Sequence, residues 1–181
     1  MRELKKRIGL DKSDKSGAGF TLIELLITLA IIGVLATIVF LNVKNSRENT
    51  YYSRASWETT EIAKALWIYL QEYGDYPSDA NRGLPPGLEV YLPAGNWPDG
   101  PWPGSVYDWD NWDDPDQPGK KIYQISLRFC PIGGPLSACN FPKASWAQNF
   151  NINSALYYCL SGSCRSHVAS PPSYPGKCIN C

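Results

Sequence analysis

The chain has 181 residues and equal numbers of basic and acidic side chains, 17 of each, so its formal net charge at pH 7 is zero. Such a balance provides no general electrostatic surface for nucleic acid, and a nucleic-acid partner is not favoured. The only histidine is His167, and the sequence contains no nucleophile elbow, P-loop or dinucleotide fingerprint, so we do not expect an enzyme.

Residues 1–19 form a polar leader in which six Lys or Arg outnumber three Asp or Glu. A basic segment beside an apolar run stays on the cytoplasmic side of the membrane, which predicts a cytoplasmic amino terminus. A secretory signal peptide would have a shorter apolar core with a small-residue cleavage site after it. Here the small residues Gly17, Ala18 and Gly19 come before the apolar run, so the leader is not typical of such a signal.

Residues 20–41 form an apolar run of 22 residues, and a membrane-spanning helix needs about 20. A carboxylate, Glu24, lies one turn inside this run. Placing a carboxylate in a membrane costs on the order of 2.5–3.5 kcal/mol, so a carboxylate kept there indicates a function. The alternative is that Glu24 lies close enough to the start of the run to extend its carboxylate to the membrane interface.

The sequence GFTLIELLITLAIIGVLATI, which begins at Gly19, resembles the amino-terminal signature of type IV pilins and type II secretion pseudopilins. Gly19 precedes the apolar run, Phe20 would be the first residue of a mature chain, and Glu24 would be its fifth. The resemblance implies that a prepilin peptidase cleaves between Gly19 and Phe20 and methylates the new amino group of Phe20. It also implies that Glu24 pairs with the amino terminus of a neighbouring subunit in a filament.

The function that this resemblance implies is that of a structural subunit of a bacterial type IV pilus or a type II secretion-like pseudopilus. The precursor would cross the cytoplasmic (inner) membrane once, with its apolar helix in the lipid bilayer. A membrane assembly platform would then move cleaved subunits into a helical polymer of identical or related pilins, in the periplasm or outside the cell. The alternative is a minor tip pilin or adhesin that binds a surface or a glycan.

Residues 42–74 are expected to continue the helix as an amphipathic segment. Proline and glycine disfavour helix interiors, yet all fifteen prolines lie from Pro77 onward, and Gly33 is the only glycine between residues 20 and 73. Apolar residues recur at helical spacing, at Ala55, Ile62, Leu66, Tyr69 and Tyr73. Gly74 is typical of the residue that ends a helix.

Residues 75–181 are expected to form an extracytoplasmic, loop-rich head. The predicted fold class is α+β, with a small antiparallel β-sheet packed on the amphipathic part of the long amino-terminal helix. The clearest strand is KKIYQISLRF, residues 120–129, in which polar and apolar residues alternate. We also expect a β-hairpin in residues 155–168, turning at Ser161 and Gly162, and a weaker strand in residues 87–92.

All six cysteines lie in this head, where export to an oxidising compartment predicts three disulfides. They are Cys130, Cys139, Cys159, Cys164, Cys178 and Cys181. We expect local pairs, because Cys159 and Cys164 flank the predicted turn, and Cys130 and Cys139 flank a short loop. The C-x₂-C spacing of the last two cysteines leaves zinc as an alternative, although a four-cysteine zinc site usually has two such pairs. A redox motif is disfavoured because this pair does not open a helix.

Residues 96–119 combine four tryptophans with six aspartates and are expected to form a loop. Clustered carboxylates suit calcium, which binds six to eight oxygens, and the stretch resembles the calcium-binding head loop of some major pseudopilins. The candidate calcium ligands are Asp108, Asp110, Asp113, Asp114 and Asp116. A solvated acidic turn is the alternative, because Trp112 occupies a ligand position of the EF-hand pattern. The tryptophans either form a flat sugar-binding surface or cover a small core.

Overall fold

The computed structural model describes residues 19–168 and 174–181. The main elements of this part of the chain are helix α1 (Leu22–Tyr73) and the strands β1 (Val106–Asp113), β2 (Lys121–Arg128), β3 (Ala155–Ser161) and β4 (Lys177–Cys178). They form an α+β fold, as predicted. The expected basic leader, apart from Gly19, lies outside the described residues. The chain divides into two compact units, Met1–Leu41 and Asn42–Cys181, and each has its own character.

The first unit contains the apolar start of α1. The side chains from Leu22 to Val39 are apolar on nearly all sides of the helix, and none of them is buried within the structure. By length and composition this stretch can cross a membrane. A helix without a polar face is stable only where lipid or protein surrounds it.

In the second unit α1 packs on the head along the predicted face. Ala55, Ile62 and Leu66 are fully buried in the hydrophobic core, and Tyr69 packs against that core. Tyr73 is predicted on the same face but is exposed, because it lies in the last turn of the helix. Its ring contacts Tyr69, with the ring centroids 4.5 Å apart. The helical spacing therefore predicts the packed face correctly, except for its last residue.

The helix ends where the sequence predicts. Gly74 has a φ of +79°, a left-handed conformation that glycine adopts without steric cost. Its N–H group donates a hydrogen bond of 2.9 Å to the carbonyl of Leu70 and so satisfies one of the last carbonyls of the helix.

The four strands form one sheet in the order β1-β2-β3-β4. β1 with β2 and β2 with β3 are antiparallel, but β3 and β4 are parallel, with Leu156 opposite Lys177. The sheet is therefore mixed: its three longer strands are antiparallel, as predicted, and the two-residue strand β4 adds a parallel pair at one edge. The reason is topological: the chain leaves β3 at Ser161 and returns to the beginning of that strand before β4 forms, which makes the two strands run in the same direction.

Two further expectations about the head are wrong. Residues 162–168 contain no strand, so β3 does not form the predicted hairpin with them and pairs with β2 and β4 instead. The segment 87–92 contains a short 3₁₀ turn, Glu89–Tyr91, in place of a strand. Its central residue, Val90, is 73% exposed, so the apolar residues there do not define a buried sheet face.

The Trp- and Asp-rich stretch, residues 96–119, is also not simply a loop, because its middle part is strand β1. Alternation explains this result. Tyr107 and Trp109 lie on the apolar face of the sheet, in the core that includes Ile125 of β2. Asp108 and Asp110, which alternate with them along the strand, lie on the opposite face, where they are also buried. The sheet thus has an apolar face toward α1 and a buried polar face on the other side.

The six cysteines form three local disulfides, Cys130–Cys139, Cys159–Cys164 and Cys178–Cys181, and none of them is free. The two local pairs named from the sequence are both present. The C-x₂-C spacing of the last pair is that of a disulfide here, so its sulfurs are not thiolate ligands for zinc.

Candidate functional site

The bond between Gly19 and Phe20 lies in a segment without regular secondary structure, one residue before α1 begins at Leu22. Neither residue is helical, and the Phe20 side chain is 82% exposed. A Cβ atom added at Gly19 would meet no other atom within 4 Å. The chain itself therefore has room for a larger side chain at Gly19, and a requirement for a small residue there would come from a peptidase.

Thr21 and Glu24 form a reciprocal cap at the start of α1. One carboxylate oxygen of Glu24 accepts hydrogen bonds of 2.8 Å from both the backbone N–H and the hydroxyl of Thr21. The backbone N–H of Glu24 donates in return to the Thr21 hydroxyl oxygen, at 3.3 Å. This is the capping box of a Thr-x-x-Glu sequence, and it explains why the helix begins at Leu22. The cap was not predicted, although the Thr-x-x-Glu pattern that specifies it is visible in the sequence.

The apolar side chains behind this cap are presented to the surroundings. Leu25, Ile32 and Leu35 are more than half exposed, as are most of their apolar neighbours up to Val39. An exposed apolar surface of this extent marks contact with a membrane or with other protein. The amino-terminal segment therefore combines an accessible backbone bond, a capped carboxylate and a continuous apolar surface.

On the head, the polar face of the sheet is organised by Arg128 of β2. Its Nε atom donates to Asp108 at 3.0 Å, and its Nη2 atom donates to both carboxylate oxygens of Asp110 at 3.2 Å. Its Nη1 atom donates to the carbonyls of Asn153 and Ser166, which holds two loops on this face. All three charged side chains are buried. A guanidinium group with this many partners satisfies the carboxylates that would otherwise be costly to bury.

Asp110 has further partners on this face. Gln124 donates to Asp110 Oδ2 at 2.9 Å, and the Ser126 hydroxyl donates to the same oxygen. Burial nevertheless raises the pKa of Asp110 to about 7, against an ordinary value of 3.8. The desolvation of the carboxylate thus outweighs the attraction of Arg128 and the hydrogen bonds.

The other three candidate calcium ligands are held elsewhere. Arg165 contacts both Asp114 and Asp116, and its Nη2 atom lies 2.5 Å from Asp114 Oδ1. Asp113 is 92% exposed on its side chain and lies 3.4 Å from the Lys121 ammonium. Within the described residues no group of three or more His, Cys, Asp or Glu side chains could hold a metal ion. The five aspartates in this arrangement do not fit a calcium site, since cationic side chains contact all five of them.

The four tryptophans of this stretch do not lie together on one surface. Trp102 and Trp109 are buried in the core, and Trp97 packs against it. Their indole N–H groups donate 2.9 Å hydrogen bonds to Glu48, Pro77 and Gly83, respectively. These three tryptophans therefore cover and fill a small core. Trp112, on the polar face of β1, is half-buried and lines a cavity of about 350 Å³.

The exposed bond between Gly19 and Phe20, the capped Glu24 and the apolar helix that precedes a disulfide-bonded α+β head are similar to the arrangement of prepilin-type proteins. Residues 14–40 match the prokaryotic N-terminal methylation motif. The chain is 35% identical over 66 residues to the type II secretion system core protein G of Escherichia coli (strain K12), which covers 36% of this chain and 45% of that protein. It is 30% identical over 87 residues to the protein of the same name from Pectobacterium carotovorum subsp. carotovorum, covering 46% of this chain and 55% of that protein.

The chain thus spans about half the length of the curated relatives it matches. No solved structure matches it significantly. The methylation motif and the two relatives together support its placement in the pilin and pseudopilin family.

Proposed function

We propose that the chain is a structural subunit of a type II secretion-like pseudopilus or a type IV pilus. It is made as a precursor in the inner membrane, cleaved by a prepilin peptidase after Gly19 and methylated at Phe20. An assembly platform then adds it to a filament through the amino-terminal part of α1. The names of the two relatives favour the secretion pseudopilus over the pilus.

The observation that carries this proposal is the apolar helix with a carboxylate in its first turn. Lipid covers the apolar side chains from Leu22 to Val39 in the precursor, and the helices of neighbouring subunits cover them in the filament. Moving between these two surroundings needs no change in the head, because none of these side chains is buried within the chain.

Glu24 has two roles in this proposal, and they are compatible. Within its own chain it caps the helix by accepting from Thr21. An ionised carboxylate has about four acceptor positions, so Glu24 can also accept from the amino group of a neighbouring subunit. A carboxylate in apolar surroundings is costly, and a nearby ammonium offsets that cost.

Three variants separate the two roles of Glu24. Glu24→Gln removes the charge but keeps a side chain that can cap, since Gln also serves at this position of a capping box. Thr21→Ala removes the two hydrogen bonds that the Thr21 hydroxyl makes with Glu24, at a cost of about 0.5–2 kcal/mol to the helix start, and keeps the charge. Glu24→Ala removes both. The measurement is the yield of sheared filaments relative to the subunit that remains in the membrane.

We expect Glu24→Ala and Glu24→Gln to insert into the membrane but to assemble poorly, whereas Thr21→Ala assembles. The helix surface around Leu25, Ile32 and Leu35 is unchanged in all three variants. An assembly defect shared by Glu24→Ala and Glu24→Gln is therefore caused by loss of the carboxylate. Filaments at the wild-type level from Glu24→Gln would show that the charge has no role in assembly. Failure of both Thr21→Ala and Glu24→Ala, together with normal assembly of Glu24→Gln, would assign Glu24 to helix capping only.

A minor tip subunit or adhesin is the second candidate. It would use the same anchor and bind a surface or a glycan through the head, and one observation favours it: Trp112 lines a polar cavity and does not fill the core. Cellular abundance distinguishes the two, because a major subunit must be plentiful and a tip subunit need not be.

A further inference from the structure

A cavity of about 350 Å³ lies over the polar face of the sheet, and its size falls within the range of roughly 300–1,000 Å³ typical of small-molecule sites. Its floor is the buried cluster of Asp108, Asp110 and Arg128. Its walls come from five separate parts of the chain: Trp112 of β1 and four loops, which contribute Asp79, Asn81 and Arg82, then Ile132 and Gly133, then Asn153, and then His167 and Val168. None of the pilin-like features of the chain requires this cavity.

The charges around the cavity nearly cancel. Three aspartates (Asp79, Asp108 and Asp110) face two arginines (Arg82 and Arg128), and the floor residues are already paired with one another. Such a lining favours neither a strongly anionic nor a strongly cationic ligand. It offers mixed hydrogen-bond donors and acceptors, including the side-chain amides of Asn81 and Asn153, which can both donate and accept.

The Arg82 loop is held in an unusual conformation. Among the described residues Arg82 is the only residue other than glycine with a positive φ, at 54°. Its backbone N–H donates a 2.7 Å hydrogen bond to Asp108 on the floor, and its guanidinium group donates to the carbonyl of Cys130. Strained backbone that surrounding contacts maintain is concentrated at binding sites, where it fixes side chains in advance. Asp108 on the floor of the cavity thus holds the Arg82 loop, which forms part of the wall, in place.

Trp112 adds the apolar component. Its ring lies 5.9 Å from the guanidinium carbon of Arg128 and 6.4 Å from the centroid of the His167 ring. The faces of an indole ring carry partial negative charge and attract weakly polarised C–H groups. An aromatic ring beside uncharged and mutually paired polar groups suits a ligand with both C–H faces and many hydroxyls.

We propose that this cavity binds a neutral sugar, with one pyranose ring against Trp112 and its hydroxyls hydrogen-bonded to Asn81, Asn153 and Arg82. A single ring or the terminal residue of a glycan fits the volume. This inference rests on the second candidate function, for which it names the ligand class and the site, and it is independent of filament assembly because it needs only the folded head. It makes the head a recognition surface whether or not the subunit is abundant.

The test uses the full chain in detergent and four probes: glucose, galactose, mannose and N-acetylglucosamine. Saturation-transfer NMR reports which sugar binds, and titration gives its dissociation constant, for which we expect roughly millimolar values for a single ring. Trp112→Ala should weaken the binding of that sugar at least about tenfold, and Asn81→Ala should weaken it severalfold. Trp67→Ala is the matched control, because Trp67 is 58% exposed on α1 and is not part of this cavity.

Asn81 is exposed, so Asn81→Ala is expected to fold even if Trp112→Ala does not. Near-ultraviolet circular dichroism checks the fold of each variant. The proposal is overturned if no probe binds to the folded wild-type chain, or if Asn81→Ala and a folded Trp112→Ala bind as well as Trp67→Ala. Binding of acetate or sulfate in place of the sugars would also overturn it and identify an anion site. Glu24→Gln should bind sugar normally, so the result is independent of filament assembly.

Discussion

Tyr107 on β1 donates its hydroxyl hydrogen to Glu58 on α1, with 2.7 Å between the two oxygens. Both residues are buried, and the other carboxylate oxygen of Glu58 accepts from Arg54 Nε at 2.7 Å. Burial is the larger cause, and the hydrogen bond to Glu58 the second, of a raised pKa of the Tyr107 hydroxyl. The hydroxyl therefore keeps its proton and remains a donor across the physiological pH range. A polar contact therefore joins the sheet to the helix within a largely apolar core.

Tyr107→Phe should destabilise the head. The substitution keeps the ring in the core but leaves one oxygen of the buried Glu58 carboxylate without its donor, which costs about 1–3 kcal/mol. The measurement is the midpoint of thermal unfolding, followed by circular dichroism in detergent. Tyr73→Phe is the control, because Tyr73 is exposed and its replacement should change stability by less than about 0.5 kcal/mol. Equal midpoints for the two variants would contradict this role of the Tyr107 hydroxyl.

The stability of the head should depend on the protonation of Asp110. Because burial raises its pKa in the folded chain to about 7, the folded chain keeps a proton that the unfolded chain releases near pH 4. The contribution of Asp110 to stability is therefore fully present below about pH 4 and is lost as the pH rises through about 7. Asp110→Asn cannot ionise, so its unfolding midpoint should fall less than that of the wild type over this range.

Other groups around the cavity titrate as well. Burial raises the pKa of Asp79, which acts in the same direction as Asp110, and burial lowers the pKa of His167, which acts in the opposite direction. The difference between variant and wild type at each pH isolates Asp110 from both. Parallel pH profiles for the two chains would show that Asp110 stays ionised when folded.

All six cysteines should be oxidised, and the three disulfides should contribute unequally to the free energy of unfolding. Thiol labelling of the denatured, unreduced chain should find no free cysteine. Replacing both Cys130 and Cys139 by serine should cost about 2–4 kcal/mol, because this bridge closes the longest of the three loops and Cys130 lies in the core. The same replacement at Cys178 and Cys181, which are separated by three positions, should cost less. Full labelling together with copurified zinc would contradict the disulfide arrangement.

Cleavage should occur between Gly19 and Phe20. Gly19→Arg should block it, because a large side chain would not fit a peptidase site that accepts a small residue. The fold itself should tolerate the change, since the space around Gly19 is open. Gly33→Ala, at a second open glycine, is the control and should be cleaved normally. Intact-mass measurement of the membrane fraction decides the matter, and a wild-type chain that still carries residues 1–19 would refute the processing step.

The sequence predicted those elements whose causes are local. The absence of proline before Pro77 and the spacing of Ala55, Ile62 and Leu66 were enough for α1, and simple alternation was enough for β2. Strand β1 was missed because aspartate is disfavoured in strands, and the partners that make Asp108 and Asp110 acceptable there, above all Arg128 on the neighbouring strand, are brought close only by the fold.

The candidate sites divide in the same way. Gly19, Phe20 and Glu24 lie within six consecutive residues, so their motif is visible in the sequence. The cavity, in contrast, brings Arg82, Trp112 and His167 together from distant parts of the chain. No local pattern marks such a site. The left-handed conformation of Arg82 is likewise invisible in the sequence, because it depends on a hydrogen bond to Asp108.

The buried charges on the polar face of the sheet help to fix the register in which β1 pairs with β2. Asp108 and Asp110 lie opposite Ser126 and Gln124, and Val106 lies opposite Arg128. If β1 slipped by one residue, its charged side chains would turn toward the helix, and Trp109 would face the buried arginine. Leaving a buried charge without its partner costs about 3–5 kcal/mol, so slipped pairings are strongly disfavoured. Arg128 therefore selects a single strand alignment during folding, which a uniformly apolar sheet of this size would specify less sharply.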